Sequence, residues 1–233
     1  MSGTHSDASR TVGHAWQKSA VLNEAALEPL YTLNWEFLTI LAGFPRRWRS
    51  AEAPARLPDP MWTRLLTLSA EQLREISRSP ISLFSARFDD EAFWSEVAAG
   101  PGKPIAPPAG EQEALELRLR EFARLALFYA WHLALSNPGA ARVILGMTER
   151  AGEIFRGLTL IRLHQIAQEN PWIFEPRWPD RTVFWQSLLG DAAEKAERVD
   201  LRLLGLQILA ADFDALSTAP QPRPTNRRLN NKT

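Results

Sequence analysis

Apolar residues recur along most of this chain at intervals of three and four positions, and short breaks rich in proline or glycine separate the runs. The pattern predicts a first helix over residues 24–41, the longest one over 111–135 and a last one over 191–217. No segment shows the alternation of apolar and polar residues that is typical of strands. The chain is therefore predicted to be an all-α protein.

The longest predicted helix has one apolar stripe, and charged residues occupy much of its other side. The stripe is expected to face the core and consists of Leu115, Leu119, Phe122, Leu125, Ala126 and Tyr129. Asn137 and Pro138 have the residue types of an N-cap and a first helical position, and Gly146 that of a residue just after a helix. We expect His132, in the same helix as the stripe, to be a core or interface imidazole.

The last predicted helix is apolar on nearly all sides. A helix of this kind has to be covered on more than one side. We therefore expect residues 191–217 to pack on two sides, with another chain as a candidate on one of them. Leu203, Leu206 and Phe213 are the expected interface residues, and a homo-oligomer is one form that the interface could take.

The two halves of the chain carry the same motifs in the same order. Leu66-Thr67-Leu68 recurs as Leu158-Thr159-Leu160, and Phe93-Trp94 recurs as Phe184-Trp185. The repeat predicts two tandem helical units fused into an intramolecular pseudo-dimer. The predicted divisions are a disordered tail at 1–14, the first unit at 15–97, a linker at 98–110, the second unit at 111–190, the helix at 191–217 and a basic disordered tail at 218–233.

Three repeated positions in each half are assigned to the architecture of the units. Arg87, Asp90 and Trp94 in the first half are matched with Arg177, Asp180 and Trp185 in the second. An arginine that lies between aromatic rings and beside a carboxylate usually stabilises a fold, because its planar group can stack and form paired hydrogen bonds. We expect these residues to be structural.

Composition and charge narrow the possible functions. The chain has no cysteine, and its 27 basic side chains balance its 27 acidic ones. Disulfides, zinc ribbons and a global basic field are therefore not expected. No metal-ligand spacing links the four histidines, and no catalytic motif is present. We expect no enzyme, metal or cofactor, and a cytoplasmic protein without a membrane span.

Two stretches carry a resemblance to a known family: Leu33-Asn34-Trp35-Glu36-Phe37-Leu38-Thr39-Ile40-Leu41-Ala42, and the run from Asn137 through Leu145-Gly146-Met147 and Leu158-Thr159-Leu160 to Arg177-Trp178. The first is similar to the first-helix signature of the FlhD family, a subunit of the bacterial flagellar master transcriptional regulator, and the second is similar to much of the remainder of that subunit. The resemblance implies an all-helical dimer, formed here within one polypeptide. It also implies an FlhC-like, zinc-containing partner subunit and DNA contacts that depend on this partner.

Basic residues in the second unit and in the C-terminal tail are the candidate DNA ligands, because phosphate contacts come mainly from such side chains. They are Arg142, Arg150, Arg156, Arg162, His164, Arg223, Arg227 and Arg228. Those in the second unit are spread over several predicted helices. The sequence leaves open whether they share a face.

Two functions remain open at this point. The first is an FlhD-like transcriptional regulator subunit that acts on DNA through a protein complex, and the resemblance favours it. The alternative is a non-catalytic structural or adaptor protein that uses the same fold for protein–protein assembly. The near-neutral charge of the chain favours this alternative.

Overall fold

A computed structural model describes residues 24–44, 57–100 and 113–190. These ranges form nine α-helices, one short 3₁₀ helix and one sheet of two very short strands, so the predicted all-α class is confirmed. Both predicted tails, most of the predicted linker and the predicted helix at 191–217 lie outside the described residues. Within the described ranges, no helix is both long and apolar enough to cross a membrane.

The first half contains four helices and one strand. They are α1 (Glu24–Ala42), α2 (Asp59–Thr67), α3 (Ala70–Ser77), β1 (Phe84–Ser85) and α4 (Glu91–Ala99). Ser69 and Gln72 form a reciprocal capping box at the start of α3. Asp90 caps α4, because its carboxylate accepts a hydrogen bond from the backbone N–H of Phe93.

The second half has the same order of elements with one additional α-helix and one 3₁₀ helix. Its elements are α5 (Glu113–Ser136), α6 (Pro138–Leu145), α7 (Glu149–Gly157), α8 (Leu160–Glu169), a 3₁₀ helix (Pro171–Ile173), β2 (Glu175–Pro176) and α9 (Thr182–Leu189). Asn137 caps α6, with Pro138 in its first turn, and Gly146 ends it at a φ of +71°. These three assignments agree with the sequence prediction.

The long helices α1 and α5 pack on each other in the middle of the molecule. Helix α1 also contacts α2 and α3, and α5 contacts α7 and α8 in the same way. Four phenylalanines, two from each half, meet between them with ring centroids 4.9–5.8 Å apart: Phe37, Phe84, Phe122 and Phe174. The core is therefore shared by both halves.

The last helix of each half packs on the opposite half. Helix α4 contacts α7, and α9 contacts α2. Trp94 of α4 lies against Phe155 of α7 with ring centroids 4.5 Å apart. Strand β1 pairs with β2 in antiparallel orientation, and Phe84 lies opposite Pro176. The two halves are thus interlocked, since each contributes one helix and one strand to the other.

The turn before α4 and the turn before α9 have the same geometry. The indole of Trp94 donates hydrogen bonds to the carbonyls of Ala86 and Arg87, and that of Trp185 donates to the carbonyl of Arg177. Positive φ angles occur at Arg87 (55°) and Trp178 (52°). The indole bonds set the register, so Arg87 corresponds to Trp178 and Ala86 to Arg177. The sequence pairing of Arg87 with Arg177 is wrong by one residue.

The pairing of Trp94 with Trp185 is unchanged, but the pairings of Asp90 with Asp180 and of Thr67 with Thr159 change for similar reasons. Asp90 occupies the N-cap of α4, whereas the N-cap of α9 is Arg181, one residue after Asp180. Thr159 caps α8, but Thr67 is the last residue of α2, and the residue that caps α3 is Ser69. By the positions of these caps, Leu68-Ser69 in the first half corresponds to Leu158-Thr159 in the second. That the halves are duplicated copies stays a prediction.

Candidate functional site

Two of the predicted DNA ligands line one surface cleft. Arg142 of α6 and Arg156 of α7 border a depression of about 270 Å³, together with Pro138, Met147, Thr148, Glu149 and Gly152. Both arginines are exposed. The cleft is open and contains Glu149 as well as the two arginines, so its charge is mixed.

The structure does not bring the other described candidates into this cleft. Arg150 donates a hydrogen bond of 2.7 Å to Glu153 on the same helix. Arg162, whose side chain is only 17% exposed, donates to the carbonyls of Val97 and Gly100 and pairs with Glu169. Arg162 therefore holds the C-terminal end of α4, where cations are favourable. His164 is exposed on α8. Arg223, Arg227, Arg228, Leu203, Leu206 and Phe213 lie outside the described residues.

The arginines assigned to architecture both contact aromatic rings. The guanidinium of Arg87 pairs with the carboxylate of Asp90 and lies 4.5 Å from the ring centroid of Phe93. The N–H of Phe93 and, to a lesser degree, Arg87 lower the pKa of Asp90. Asp180 is exposed beside the N-cap of α9, while Trp94 and Trp185 are fully buried.

Arg177 is buried, with 4% of its surface exposed, and it connects the two halves. It donates hydrogen bonds to the hydroxyl of Ser82 (3.2 Å) and to the carbonyl of Ile144 (2.5 Å). Its guanidinium also lies 4.2 Å from the ring centroid of Trp178. These contacts join the end of α6 to the segment before β1.

Asn34 has a structural role that the sequence reasoning did not assign. Its fully buried amide donates to the carbonyls of Ser77, Ser79 and Ile81, and it accepts a hydrogen bond from the N–H of Leu83. This arrangement fixes the loop between α3 and β1. A polar residue within an apolar helical face was the only signal available in the sequence.

The described residues contain no group of three or more histidines, cysteines, aspartates or glutamates that could hold a metal ion. Burial raises the pKa of Tyr129 to about 12, so its hydroxyl stays protonated near neutral pH. His132 is exposed on α5 and does not belong to the core.

Helix α5 carries large apolar residues on its exposed side. The sequence pattern predicts mainly charged residues there. We call the apolar residues the α5 stripe: Leu117, Leu125, Phe128 and Leu135, which are 45–59% exposed. Leu125 was expected in the core-facing stripe, but it lies at the boundary of that face and points outward. From Leu125 to Leu135, with His132 included, the stripe has the three- and four-residue spacing of a coiled-coil seam, and Leu117 lies eight residues before Leu125.

Trp131 packs beside Phe128, in the middle of the α5 stripe. The ring of Phe128 lies 5.7 Å from that of Trp131. The indole of Trp131 donates a 3.0 Å hydrogen bond to the carbonyl of Leu158, just before α8. Leu160 and Ile161, in the first turn of α8, are also largely exposed.

No family model, curated protein or solved structure matches this chain. The FlhD resemblance therefore remains an expectation that rests on the quoted residues alone. The geometry of the described residues has to carry the functional argument.

Proposed function

We propose that this chain is a non-catalytic assembly subunit that presents the α5 stripe to another protein. The exposed stripe is the observation that carries the proposal. Covering four half-exposed leucine or phenylalanine side chains would be worth about 3–6 kcal/mol, taking half of about 1.5–3 kcal/mol for each. An apolar patch on the longest helix of a protein is typical of an interaction site.

The described charges favour a protein partner over unaided DNA binding. Arg150 and Arg162 are already engaged with Glu153, Glu169 and backbone carbonyls. The α5 stripe is apolar, and apolar side chains gain little from contact with phosphates. The interlocked halves supply a scaffold on which such a surface can be held.

The second candidate is the FlhD-like transcriptional regulator. The meeting of Arg142 and Arg156 at one cleft favours it, because two arginines can contact adjacent phosphates. In this version an FlhC-like subunit would bind the chain and supply most of the DNA contacts. A cytoplasmic location and the intramolecular pseudo-dimer belong to both candidates.

Affinity capture from a lysate of the source cells tests the proposal. The wild-type chain is compared with L125E/F128E and with the control V183E, because Val183 of α9 is 68% exposed and lies outside the stripe. We expect the wild type and V183E to retain the same partner after nuclease treatment, and L125E/F128E to lose it at least tenfold. Circular dichroism checks that all three chains are folded.

Two results would contradict the assembly proposal. Equal recovery of every partner by the wild type and by L125E/F128E would show that the α5 stripe does not bind the partner. Recovery of a zinc-containing subunit together with DNA, where nuclease removes the DNA and R142A/R156A reduces its recovery, would favour the transcriptional regulator instead.

A further inference from the structure

We infer that the α5 stripe binds a second copy of this chain, with the two α5 helices antiparallel to each other. This inference rests on the proposed function, because it identifies the partner of the same surface. It is carried by the spacing of the exposed positions along α5, by the charges that lie between the apolar residues and by the size of the exposed face.

The exposed positions of α5 have a spacing that is the same in both directions along the helix. Steps of three, four, three, four and three residues separate Arg118, Glu121, Leu125, Phe128, His132 and Leu135. All six residues are exposed, and the line that they form is about 26 Å long. A two-fold symmetric interface has to be complementary to itself. For two antiparallel helices, this spacing meets that requirement.

The antiparallel arrangement brings the apolar residues together. Leu125 faces the partner's Phe128 in the middle of the interface, and symmetry gives Phe128 the same contact with the partner's Leu125. At each end, Arg118 and its neighbour Leu117 lie beside the partner's Leu135. Every residue of the α5 stripe, including the distant Leu117, therefore meets an apolar side chain of the second copy.

The charged positions favour the antiparallel orientation. In this arrangement Glu121 faces the partner's His132, and an imidazole N–H can donate a hydrogen bond to a carboxylate. Within the described ranges, neither side chain forms an ion pair of its own. A parallel pair would instead place Glu121 against the partner's Glu121 and Arg118 against the partner's Arg118, so like charges would face each other.

The pattern also selects one register. If one helix moved along the other by seven residues in either direction, Leu125 would no longer face the partner's Phe128. The same shift would separate Glu121 from the partner's His132. Only the register with both contacts combines an apolar centre with two flanking pairs of opposite polarity.

The size of the exposed face predicts a reversible dimer. A standard interface buries about 800 Å² on each partner. The four half-exposed side chains of the stripe present roughly 400 Å². Arg118, Glu121, Arg124 and His132 are exposed on the same side and add polar area. An interface near the lower end of the standard size is typical of weak complexes, so we expect a Kd on the order of 10 µM.

Analytical ultracentrifugation of the purified full-length chain tests the inference. We expect the wild type to change from monomer to dimer between about 1 and 200 µM, and L125E/F128E to dimerise at least tenfold more weakly. V183E should dimerise like the wild type, because Val183 of α9 lies outside the interface. Circular dichroism checks that all three chains are folded.

Two results of this measurement would overturn the inference. One is a wild type that stays monomeric at every concentration, which would leave the stripe to a different protein or to a part of the chain outside the described ranges. The other is a dimer that L125E/F128E forms as well as the wild type does, which would place the interface on another surface.

An exchange of charges tests the register. E121K should weaken the dimer about tenfold, because the hydrogen bond to the partner's His132 is lost, and H132E should do the same, because two glutamates would face each other. The double variant E121K/H132E should recover a Kd within about threefold of the wild type, because each lysine then faces a glutamate. A double variant that dimerises no better than the single ones would overturn the inference.

Cross-linking with a short bis-maleimide tests the orientation independently. The chain has no natural cysteine, so R118C and L135C each introduce a single thiol. We expect an equimolar mixture of the two variants to form a covalent dimer. Each variant alone should form little, because its two thiols would lie about 26 Å apart. Covalent dimers from each variant alone, and none from the mixed pair, would show a parallel arrangement and overturn the inference.

These experiments separate the inference from the proposed function, because they use the purified chain alone. If the chain stays monomeric while the capture of a different protein depends on the stripe, the inference fails and the proposed function stands. If the chain dimerises through the stripe but no captured protein depends on the stripe, the inference stands and the proposed presentation to another protein fails.

Discussion

Two buried polar side chains, Asn34 and Arg177, fix the segment that leads into β1. Asn34 bonds three carbonyls and the N–H of Leu83, while Arg177 bonds Ser82 and the carbonyl of Ile144. A buried polar group without partners is costly, and here both side chains have partners. Asn34 bonds buried backbone groups of the loop, and Arg177 shares the Ile144 carbonyl with the N–H and the hydroxyl of Ser82. The position of β1 depends on these bonds.

Replacing Asn34 with leucine should lower the free energy of unfolding by about 2–4 kcal/mol, because buried backbone groups would lose their partner. Chemical denaturation measures the loss. Glu36→Gln is a suitable control, since its carboxylate forms only an exposed 3.6 Å ion pair with Arg118, and it should cost less than about 0.5 kcal/mol. A loss below about 1 kcal/mol for Asn34→Leu would contradict the assigned role.

Gly146→Ala should destabilise the chain by at least about 2 kcal/mol, because alanine rarely adopts its positive φ. The added Cβ would also lie 2.7 Å from the Nη2 atom of Arg177, which is buried and bonded. Gly157→Ala is the matched control: no atom lies within 4 Å of its Cβ position. At the end of α7 it should be neutral or stabilising by up to about 1 kcal/mol. Thermal unfolding of both variants measures the difference, and equal behaviour would argue against the contact with Arg177.

The sequence predicts some of these residue roles and not others. Gly146 as the end of α6 follows from local residue types, because a left-handed residue after a helix is most easily a glycine. The partners of Asn34 and Arg177 come from distant parts of the chain, and no local pattern specifies them. The one-residue error in matching Arg87 with Arg177 has the same origin, since similar residue types were matched without the indole bonds that set the register.

At the scale of elements, arginines of the opposite half hold both exchanged helices at their C-terminal ends. Arg162 bonds the carbonyls of Val97, in the last turn of α4, and of Gly100, just after α4. Arg64 bonds the carbonyl of Leu189 in α9 at 2.8 Å. These carbonyls have no partner within their own helix. The two contacts therefore stabilise the exchange of α4 and α9.

Asp90→Ala should destabilise the chain by about 1 kcal/mol at pH 7, because α4 loses its N-cap. The pKa of Asp90 is lowered in the folded chain from its ordinary 3.8. The charged carboxylate of Asp90 therefore contributes its full stabilisation of the folded chain above the ordinary pKa. This stabilisation is lost as the pH falls through the lower pKa of the folded chain. Denaturation curves between pH 2 and 7 should show the variant and the wild type converging in acid. Asp89→Ala, at the exposed neighbouring position, is the control. A difference in the free energy of unfolding between the wild type and Asp90→Ala that grows as the pH falls would contradict the predicted pH dependence.

Helix α5 shows what periodicity can and cannot decide. The spacing of its apolar residues predicts a long amphipathic helix, and the structure contains one at Glu113–Ser136. Its apolar residues, however, extend onto two sides, and the packing of α1, α6, α7, α8 and the 3₁₀ helix determines which side is covered. The exposed stripe could not be identified without those neighbours.

At the scale of the whole molecule, the two halves form one interlocked body. Both long helices share a phenylalanine core, and α4 and α9 each pack on the opposite half. The repeat in the sequence predicts two units and a fused pseudo-dimer. It does not predict that α4 and α9 pack on the opposite half. Each of these helices would bury the same residues if it packed on its own half, so the sequence pattern is the same in both cases.

A cut in the chain between the two halves tests whether they are interlocked. A specific protease site replaces part of residues 101–112, outside the described elements, and the cut protein is analysed by size-exclusion chromatography with light scattering. If the halves are interlocked, both fragments will elute together at the mass of the intact chain and will separate only in denaturant. Separate elution of two folded fragments in native buffer would contradict it.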